Sequence, residues 1–286
     1  MEKKNSIFGK LYLALILAFF YLPILYVVFF SFNRSKSLTR FTGFSLRWYE
    51  NMFNNRSILE AIYYTVLCAV LATLISTLIG TITAIGLSKS KRITRELFQQ
   101  VNNLPMLNPE IVTAIGLMLF FTSLRVQTGF TTMLLAHIAF CTPYVILSVL
   151  PRLRRIDKNM AEAALDLGCT PWQAMWKVII PQIKGGIIAG ALVAFSMSFD
   201  DFVISMFKTG PGVSNISIYV YANVKRVNPT INALSAIIVY VITVVLIVVN
   251  VVPMINERRK AKLNAQITES NSISFMRCTS SSTCWM

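Results

Sequence analysis

The sequence predicts an all-α integral membrane protein with six transmembrane helices and both termini in the cytoplasm. Of its 286 residues, 55% are hydrophobic and only 14% are charged, whereas soluble domains carry about 25% charged residues. The apolar residues are gathered in six runs, most of them long enough to cross a hydrocarbon core of about 30 Å as a helix. The basic residues are concentrated in alternate gaps between these runs, as in cytoplasmic loops.

Each of the six runs is nearly free of charge. The first follows three lysines, as in a signal peptide, but it is too long for a cleaved signal and no small-residue cleavage site follows it, so we predict a retained helix. The third and fifth runs are the weakest, because Glu110 lies near the start of one and Asp200–Asp201 interrupts the other. Pro105, Pro109 and Pro143 predict local breaks or kinks in the third and fourth runs. The predicted spans are residues 11–33, 61–88, 104–124, 126–151, 185–207 and 230–255.

The distribution of positive charge sets the predicted orientation. Eighteen of the 27 Lys and Arg residues lie before the first run, in residues 89–103, in residues 152–184 or after the last run, and nine lie in the other gaps. Loops rich in Lys and Arg stay in the cytoplasm, so both termini are predicted there, with the opposite orientation as the alternative. Loop charge also accounts for the net charge of +15, so no nucleic acid partner is expected. Residues 1–262 are predicted to form one transmembrane domain, and the Ser- and Thr-rich residues 263–286 a disordered cytoplasmic tail.

The sequence lacks the motifs of several kinds of chemistry. It contains no phosphate-binding Gly-x-x-x-x-Gly-Lys-Ser/Thr loop, so the chain is not expected to hydrolyse ATP. The five cysteines form no Cys-x-x-Cys pair and His137 is the only histidine, so no catalytic residue, metal or cofactor is predicted on this chain. His137 and Cys141 lie one helical turn apart, but a histidine hydrogen-bonded within the helix bundle is the favoured interpretation. Gly186 and Gly190 predict a close helix–helix contact.

Residues 152–184 form the largest predicted cytoplasmic loop, and their pattern predicts two short helices. Asp157 is a suitable N-cap for the first helix, and Gly168 ends it as a residue that tolerates a positive φ. Thr170 and Gln173 form a capping box around a proline, which starts the second helix. Pro181 is predicted to end that helix before the fifth span. Such defined caps favour a functional element over a plain connection between spans.

Part of this loop resembles a known motif. Glu162-Ala163-Ala164, three residues, Gly168, nine residues and then Val178-Ile179-Ile180-Pro181 is similar to the EAA loop of ABC importer permeases. The resemblance implies a type I ABC importer permease fold, in which the first short helix and the glycine turn dock on a separate ATPase. It assigns the coupling role to Glu162, Ala163, Ala164 and Gly168.

Further segments, such as Ser198-Phe199-Asp200-Asp201 and Thr209-Gly210-Pro211, resemble the spermidine/putrescine permeases, specifically the second of the two membrane subunits of that transporter. The resemblance extends to about residue 262 and implies four further expectations. The protein lies in the cytoplasmic membrane of a bacterium, surrounded by lipid. It pairs with a second permease subunit. An ATP-binding subunit dimer carries the ATP and magnesium. An extracytoplasmic polyamine-binding protein delivers the substrate. The matching segments are Ser31-Phe32-Asn33, Trp48-Tyr49, residues 108–112, residues 137–143, Ser198-Phe199-Asp200-Asp201, Thr209-Gly210-Pro211, Asn228-Pro229 and Asn232-Ala233-Leu234.

A polyamine path needs carboxylates, carbonyls or aromatic faces, because an ammonium group without partners is costly to desolvate. Asp200 lies about 24 Å along a helix from Lys184, so Asp200 and Asp201 are predicted near the outer mouth of the path. Since consecutive helical residues point about 100° apart, at most one of the two is expected to face the path. The remaining candidates for the path are Glu110, Tyr219 and Tyr221.

Other interpretations of these residues stay open at this point. The two aspartates could cap the helix end, or they could pair with Lys208 or with Lys225–Arg226. Glu110 could be an ordinary acid at a helix start. The tyrosines could lie in the aromatic belt at the membrane interface. The same machine could also carry another small solute. A stand-alone secondary transporter is a further alternative, although no paired repeat is evident.

Overall fold

The structure is a computed structural model that describes residues 7–244, apart from 38, 108, 158, 211 and 224–228, together with residue 247. Within these residues the backbone is nearly all helical, with one isolated β-bridge between Asn33 and Phe44. The chain divides into two compact units. One comprises Met1–Asn51 with Asn228–Met286, and the other is Met52–Val227.

In the first unit, hydrogen bonds fold the segment that follows helix α1 (Ile7–Phe30). The buried Asn33 side chain donates to two backbone carbonyls, and the backbone carbonyl of Asn33 accepts from Trp48 Nε1 at 2.6 Å. The Ser31 and Tyr49 hydroxyls are 2.7 Å apart. Trp48 and Tyr49 lie in the first turn of helix α2 (Arg47–Phe53), and the unit also contains the apolar helix α12, Pro229–Val244.

The second unit is built on three long helices that pack against one another, α3 (Arg56–Lys89), α6 (Phe130–Arg154) and α9 (Ile180–Asp200). Both α3 and α9 closely approach Val145 of α6, which is fully buried. A Cβ on Gly80 of α3 would lie 2.7 Å from Val145 Cγ1, and a Cβ on Gly190 of α9 would lie 3.2 Å from Val145 Cα. The predicted role of Gly190 in close packing is therefore confirmed. The helices of this unit are α3 (Arg56–Lys89), α4 (Arg92–Leu107), α5 (Glu110–Ser123), α6 (Phe130–Arg154), α7 (Asn159–Asp166), α8 (Pro171–Ala174), α9 (Ile180–Asp200), α10 (Val203–Lys208) and α11 (Ile216–Asn223).

Two of the predicted spans are interrupted. The third run is divided between α4 and α5, because Pro109 cannot continue a helix and becomes the N-cap of α5. The fifth run is divided between α9 and α10, with Asp201 in an extended conformation. Pro143, by contrast, lies inside the continuous helix α6.

The prediction that Pro181 ends the second loop helix is wrong. Helix α8, a π-helical turn at Met175–Ile179 and α9 follow one another directly, so residues Pro171–Asp200 form one 30-residue helix. In the wider π turn the N–H of Ile180 donates to the carbonyl of Met175. Proline lacks an N–H, and this change of hydrogen-bond register accommodates it near the start of α9.

Four helices in the described part of the chain are long and apolar enough to cross a membrane: Gly9–Phe30, Arg56–Lys89, Phe130–Arg154 and Pro171–Asp200. Two shorter apolar helices are Glu110–Ser123 and Pro229–Val244. The last predicted span, 230–255, is described as far as residue 244 and again at residue 247, and its other residues lie outside the described ones. The whole predicted tail, 263–286, also lies outside them.

The close packing at Gly80 leads to a prediction about stability. Gly80→Ala should lower the free energy of unfolding by about 1–3 kcal/mol, because the new methyl group overpacks the core at Val145. Gly86→Ala is the matched control on the same helix, where a Cβ meets nothing within 4 Å; it should be neutral or stabilising by up to about 1 kcal/mol, because alanine favours helix. Thermal unfolding of the purified protein in detergent measures both, and equal midpoints for the two variants would contradict the packing argument.

Candidate functional site

An acidic cavity of about 350 Å³ lies where the two interrupted runs meet. Glu110, the first residue of α5, lines it together with Asp200 and Asp201, which stand at the break between α9 and α10. Three of the five residues predicted for a substrate path are thus brought together. The described residues that line the cavity include no basic side chain; the others are Ser196, Met197, Phe202 and Val203.

Asp201 is the inward-facing member of the acidic pair. It is only 7% exposed. Its Oδ1 accepts from the N–H of Ile204 at 3.2 Å and its Oδ2 from the N–H of Ser205 at 2.8 Å. The backbone carbonyl of Asp201 accepts from Asn215 Nδ2 at 3.0 Å. Asp201 therefore caps the start of α10, whereas the helix-cap interpretation placed both aspartates at the end of the preceding helix.

Asp200 and Glu110 differ from Asp201 because both are exposed. The backbone carbonyl of Asp200 accepts from the Ser217 hydroxyl at 3.4 Å. The proposed pairing of the aspartates with Lys208 is not observed. Lys208 is buried and places its Nζ 4.9 Å from the centre of the Phe121 ring. The alternative partners Lys225 and Arg226 lie outside the described residues.

A buried hydrogen-bond network stands behind the cavity and is centred on His137 of α6. His137 Nδ1 lies 2.7 Å from the Ser198 hydroxyl of α9, and Nε2 lies 3.1 Å from the Ser205 hydroxyl of α10. Nε2 is also 3.4 Å from Asp201 Oδ2. All four side chains are buried, so the predicted hydrogen-bonded histidine within the bundle is confirmed. The network ties together α6, α9 and α10.

The two predicted tyrosines both lie on α11, and only one is linked to the cavity by an observed contact. The exposed ring of Tyr221 packs on Phe202, a residue of the cavity lining, with ring centroids 4.9 Å apart. Tyr219 is partly buried, and its backbone N–H donates to the carbonyl of Asn215. Tyr221 therefore stands next to the cavity wall, and Tyr219 is not among the described residues that line the cavity.

The loop predicted to couple to an ATPase has the local geometry that its sequence specifies. Asp157 Oδ1 accepts from the N–H of Asn159, the first residue of α7. Gly168 has a φ of +84°. Thr170 Oγ1 accepts from the N–H of Gln173 at 3.3 Å, and Gln173 Oε1 accepts from the N–H of Thr170 at 3.1 Å. The predicted capping box and glycine turn are confirmed.

The four predicted coupling residues take different positions in this loop. Ala164 is buried, and α7 packs on the π-helical turn that precedes α9. Glu162 and Ala163 are exposed, as is Gly168. The turn at Gly168 that joins α7 to α8 is called the elbow below. Glu162 also lines a cavity of about 740 Å³ beside the basic residues Lys89, Arg95 and Arg154. Leu167, directly before Gly168, is 86% exposed, so the elbow presents an apolar side chain to its surroundings.

Several residues at this site were not predicted from the sequence. Ser205 was not singled out, Ser198 was named only as part of a matching segment, and His137 was expected to be hydrogen-bonded without a named partner. Phe202 was not recognised as the link between the cavity and α11. A lone histidine in one apolar run and a serine close to the acidic pair in another are the only local signals of the network, and neither reveals that the two runs pack together.

Four apolar helices of membrane-spanning length, together with two apolar runs interrupted beside an acidic cavity, are typical of an integral membrane protein of the transport class. The family of binding-protein-dependent transport system inner membrane components matches residues 76–262 of the chain. The chain belongs to this family, and it is therefore a permease component and not a catalytic subunit.

Three similar proteins show how far the likeness extends. The chain is 35% identical over 238 residues to the spermidine/putrescine transport system permease protein PotC of Escherichia coli K12, covering 83% of this chain and 90% of PotC. It is 35% identical over 235 residues to the putrescine transport system permease protein PotI of the same strain, covering 79% and 84%. A solved chain of a bacterial ABC transporter that imports the acidic polysaccharide alginate has the same fold, with a TM-score of 0.66, 19% identity and coverage of 88% of this chain and 97% of that chain.

The different environments of the two aspartates lead to a prediction about stability. Asp201→Ala removes the acceptor of two backbone N–H groups and the carboxylate beside His137. It should lower the free energy of unfolding by about 1–3 kcal/mol for each buried donor left unpaired. Asp200→Ala removes an exposed side chain and should change stability by no more than about 0.5 kcal/mol. Thermal unfolding in detergent compares the two, and an equal loss in both variants would show that the cap at Asp201 does not stabilise the break.

Proposed function

We propose that this chain is a permease subunit of an ATP-driven ABC importer that moves polyamines such as spermidine and putrescine across the cytoplasmic membrane of a bacterium. The acidic cavity at the break between α9 and α10 carries the proposal. Its lining presents Glu110, Asp200 and Asp201 and includes no basic side chain among the described residues, which suits an elongated polycation. The likeness to PotC and PotI supports the same substrate class.

The proposal includes six spans and cytoplasmic termini. The end of α4 from Leu104 onward and α5 together serve as the third span, α9 and α10 as the fifth, and the run 230–255 as the sixth. Breaks within two spans are compatible with a membrane because irregular backbone is tolerated where it lines a cavity. The greater positive charge of residues 89–103 and 152–184 supports the orientation.

The partners proposed are a second permease subunit, an ATP-binding subunit dimer and an extracytoplasmic polyamine-binding protein. Dependence on a binding protein agrees with the description of the family. ATP and magnesium belong to the ATPase partner. Its docking surface on this chain is the elbow of α7 and Gly168, where Glu162, Ala163 and Leu167 are exposed.

Transport by carboxylate variants tests the proposed function. In proteoliposomes that contain the whole complex, the binding protein and internal ATP, Asp200→Asn and Glu110→Gln should each lower uptake of spermidine at limiting concentration by about ten- to a hundredfold. The reason is that a lost carboxylate–ammonium contact is worth about 1.5–3 kcal/mol. Glu96→Gln is the control, because Glu96 forms an exposed ion pair with Arg92 on α4, away from the cavity lining.

Two outcomes would contradict the proposal. Wild-type uptake in both cavity variants would remove the cation path and favour an importer of another solute. Uptake that needs neither ATP nor the partner subunits would favour the stand-alone secondary transporter.

Coupling through the elbow is tested at Gly168. Gly168→Val should abolish substrate-stimulated ATP hydrolysis by the assembled complex, because a β-branched residue at φ +84° costs about 1–3 kcal/mol or shifts the turn. Gly168→Asn is the matched control, since asparagine tolerates this conformation, and it should retain most of the activity. Glu162→Lys, which reverses the charge on α7, should lose activity while the complex still inserts in the membrane. Full uptake with Gly168→Val would mean that the loop is only a structural connection.

A further inference from the structure

We propose that His137 determines how many negative charges the acidic cavity offers to a cation. Together with the N–H groups of Ile204 and Ser205, the His137 ring keeps the Asp201 carboxylate turned into the protein, which leaves Glu110 and Asp200 as the two carboxylates available to substrate. This inference rests on the proposed function, and it makes His137 a positioning residue that sets the preference among amines of different charge.

The first support is that the Asp201 carboxylate has donors of the protein at both of its oxygens. Both oxygens accept backbone N–H groups, from Ile204 at 3.2 Å and Ser205 at 2.8 Å. Oδ2 has a further neighbour in His137 Nε2 at 3.4 Å. The side chain is 7% exposed although it belongs to the cavity wall. The carboxylate oxygens of Asp201 thus face donors within the protein.

The second support is the fixed orientation of the imidazole ring. A carboxylate beside Nε2 favours a proton on that nitrogen, so Nε2 donates toward Asp201 Oδ2 and the Ser205 hydroxyl. On the other side of the ring, Nδ1 lies 2.7 Å from the Ser198 hydroxyl. The ring is 2% exposed and is held by residues of both α9 and α10. The N–H dipole consequently weakens the negative electrostatic potential that Asp201 produces in the cavity.

The two remaining acids have no such compensation among the described residues. Glu110 and Asp200 are exposed, and their carboxylates take part in none of the ion pairs found in the described part of the chain. Two free carboxylates match two ammonium groups. A diamine is then fully paired in the cavity, whereas a triamine carries one ammonium group without a carboxylate of its own.

The inference predicts that loss of the imidazole N–H favours the more highly charged amine. In proteoliposomes with the whole complex, one fixed binding protein and internal ATP, His137→Leu should raise the ratio of spermidine to putrescine uptake by about three- to tenfold, because the uncompensated charge of Asp201 attracts the third ammonium group. His137→Gln, whose amide N–H can still donate, should keep the ratio within about twofold of the wild-type value. The double variant with His137→Leu and Asp201→Asn should return to the wild-type ratio.

The ratio separates this role from a purely structural one. Equal loss of spermidine and putrescine uptake in His137→Leu would overturn the inference, as would a raised ratio that persists in the double variant. If His137→Leu fails to assemble, Asp201→Asn and Asp200→Asn still decide the matter. The inference expects a wild-type ratio from Asp201→Asn and a lowered one from Asp200→Asn, and an equal fall in both contradicts it. The proposed function fails separately, when Asp200→Asn and Glu110→Gln leave uptake of both amines unchanged.

Discussion

The arrangement of the second unit depends on the hydrogen bonds that Asp201 makes where an apolar helix stops. Helix α9 ends at Asp200 and the chain begins a new helix at Val203, inside a run with few polar side chains. Backbone groups exposed by such a break need partners within the protein when lipid surrounds it. Asp201 supplies two acceptors to the N–H groups of α10, and Asn215 supplies a donor to the free carbonyl of Asp201. The break can therefore persist without water, and the cavity beside it can take its shape from the protein.

Adjacent acids at this break have different physical roles because the backbone changes conformation between them. Asp200 is the last helical residue, and its side chain remains exposed at the cavity. Asp201 is extended, with φ −60° and ψ 127°, and its carboxylate turns toward α10 and His137. One residue stabilises the irregular backbone, and the other is free to meet a ligand. A cation site with both functions on one carboxylate would weaken the fold whenever the carboxylate moved to its ligand.

Local structure could be predicted from the sequence far better than the pairing of distant residues. The capping box of Thr170 and Gln173 and the turn at Gly168 depend on residues a few positions apart, and these short-range rules hold in the structure. The helix running through Pro181 was missed because a π-helical turn accommodates the proline, and no residue type marks such a turn. The network of His137, Ser198 and Ser205 joins residues more than 60 positions apart. Its existence depends on how α6 packs against α9, which neither hydropathy nor spacing specifies.

The same packing joins the elbow at Gly168 to the acidic cavity. Helix α6 leads from the His137 network to Arg154, just before the loop, and the helix Pro171–Asp200 leads from the elbow back to the cavity. A Cβ on Gly186 would lie 2.8 Å from Arg152 Cγ and 3.1 Å from the carbonyl oxygen of Ser148, so these two helices approach closely at Gly186. Closely packed helices resist sliding past one another, because small displacements produce clashes. The π-helical turn at Met175–Ile179 is the one irregular stretch of backbone between Pro171 and Asp200. A displacement of the elbow is therefore either absorbed at that turn or carried along α9 to the residue that presents its carboxylate to the cavity.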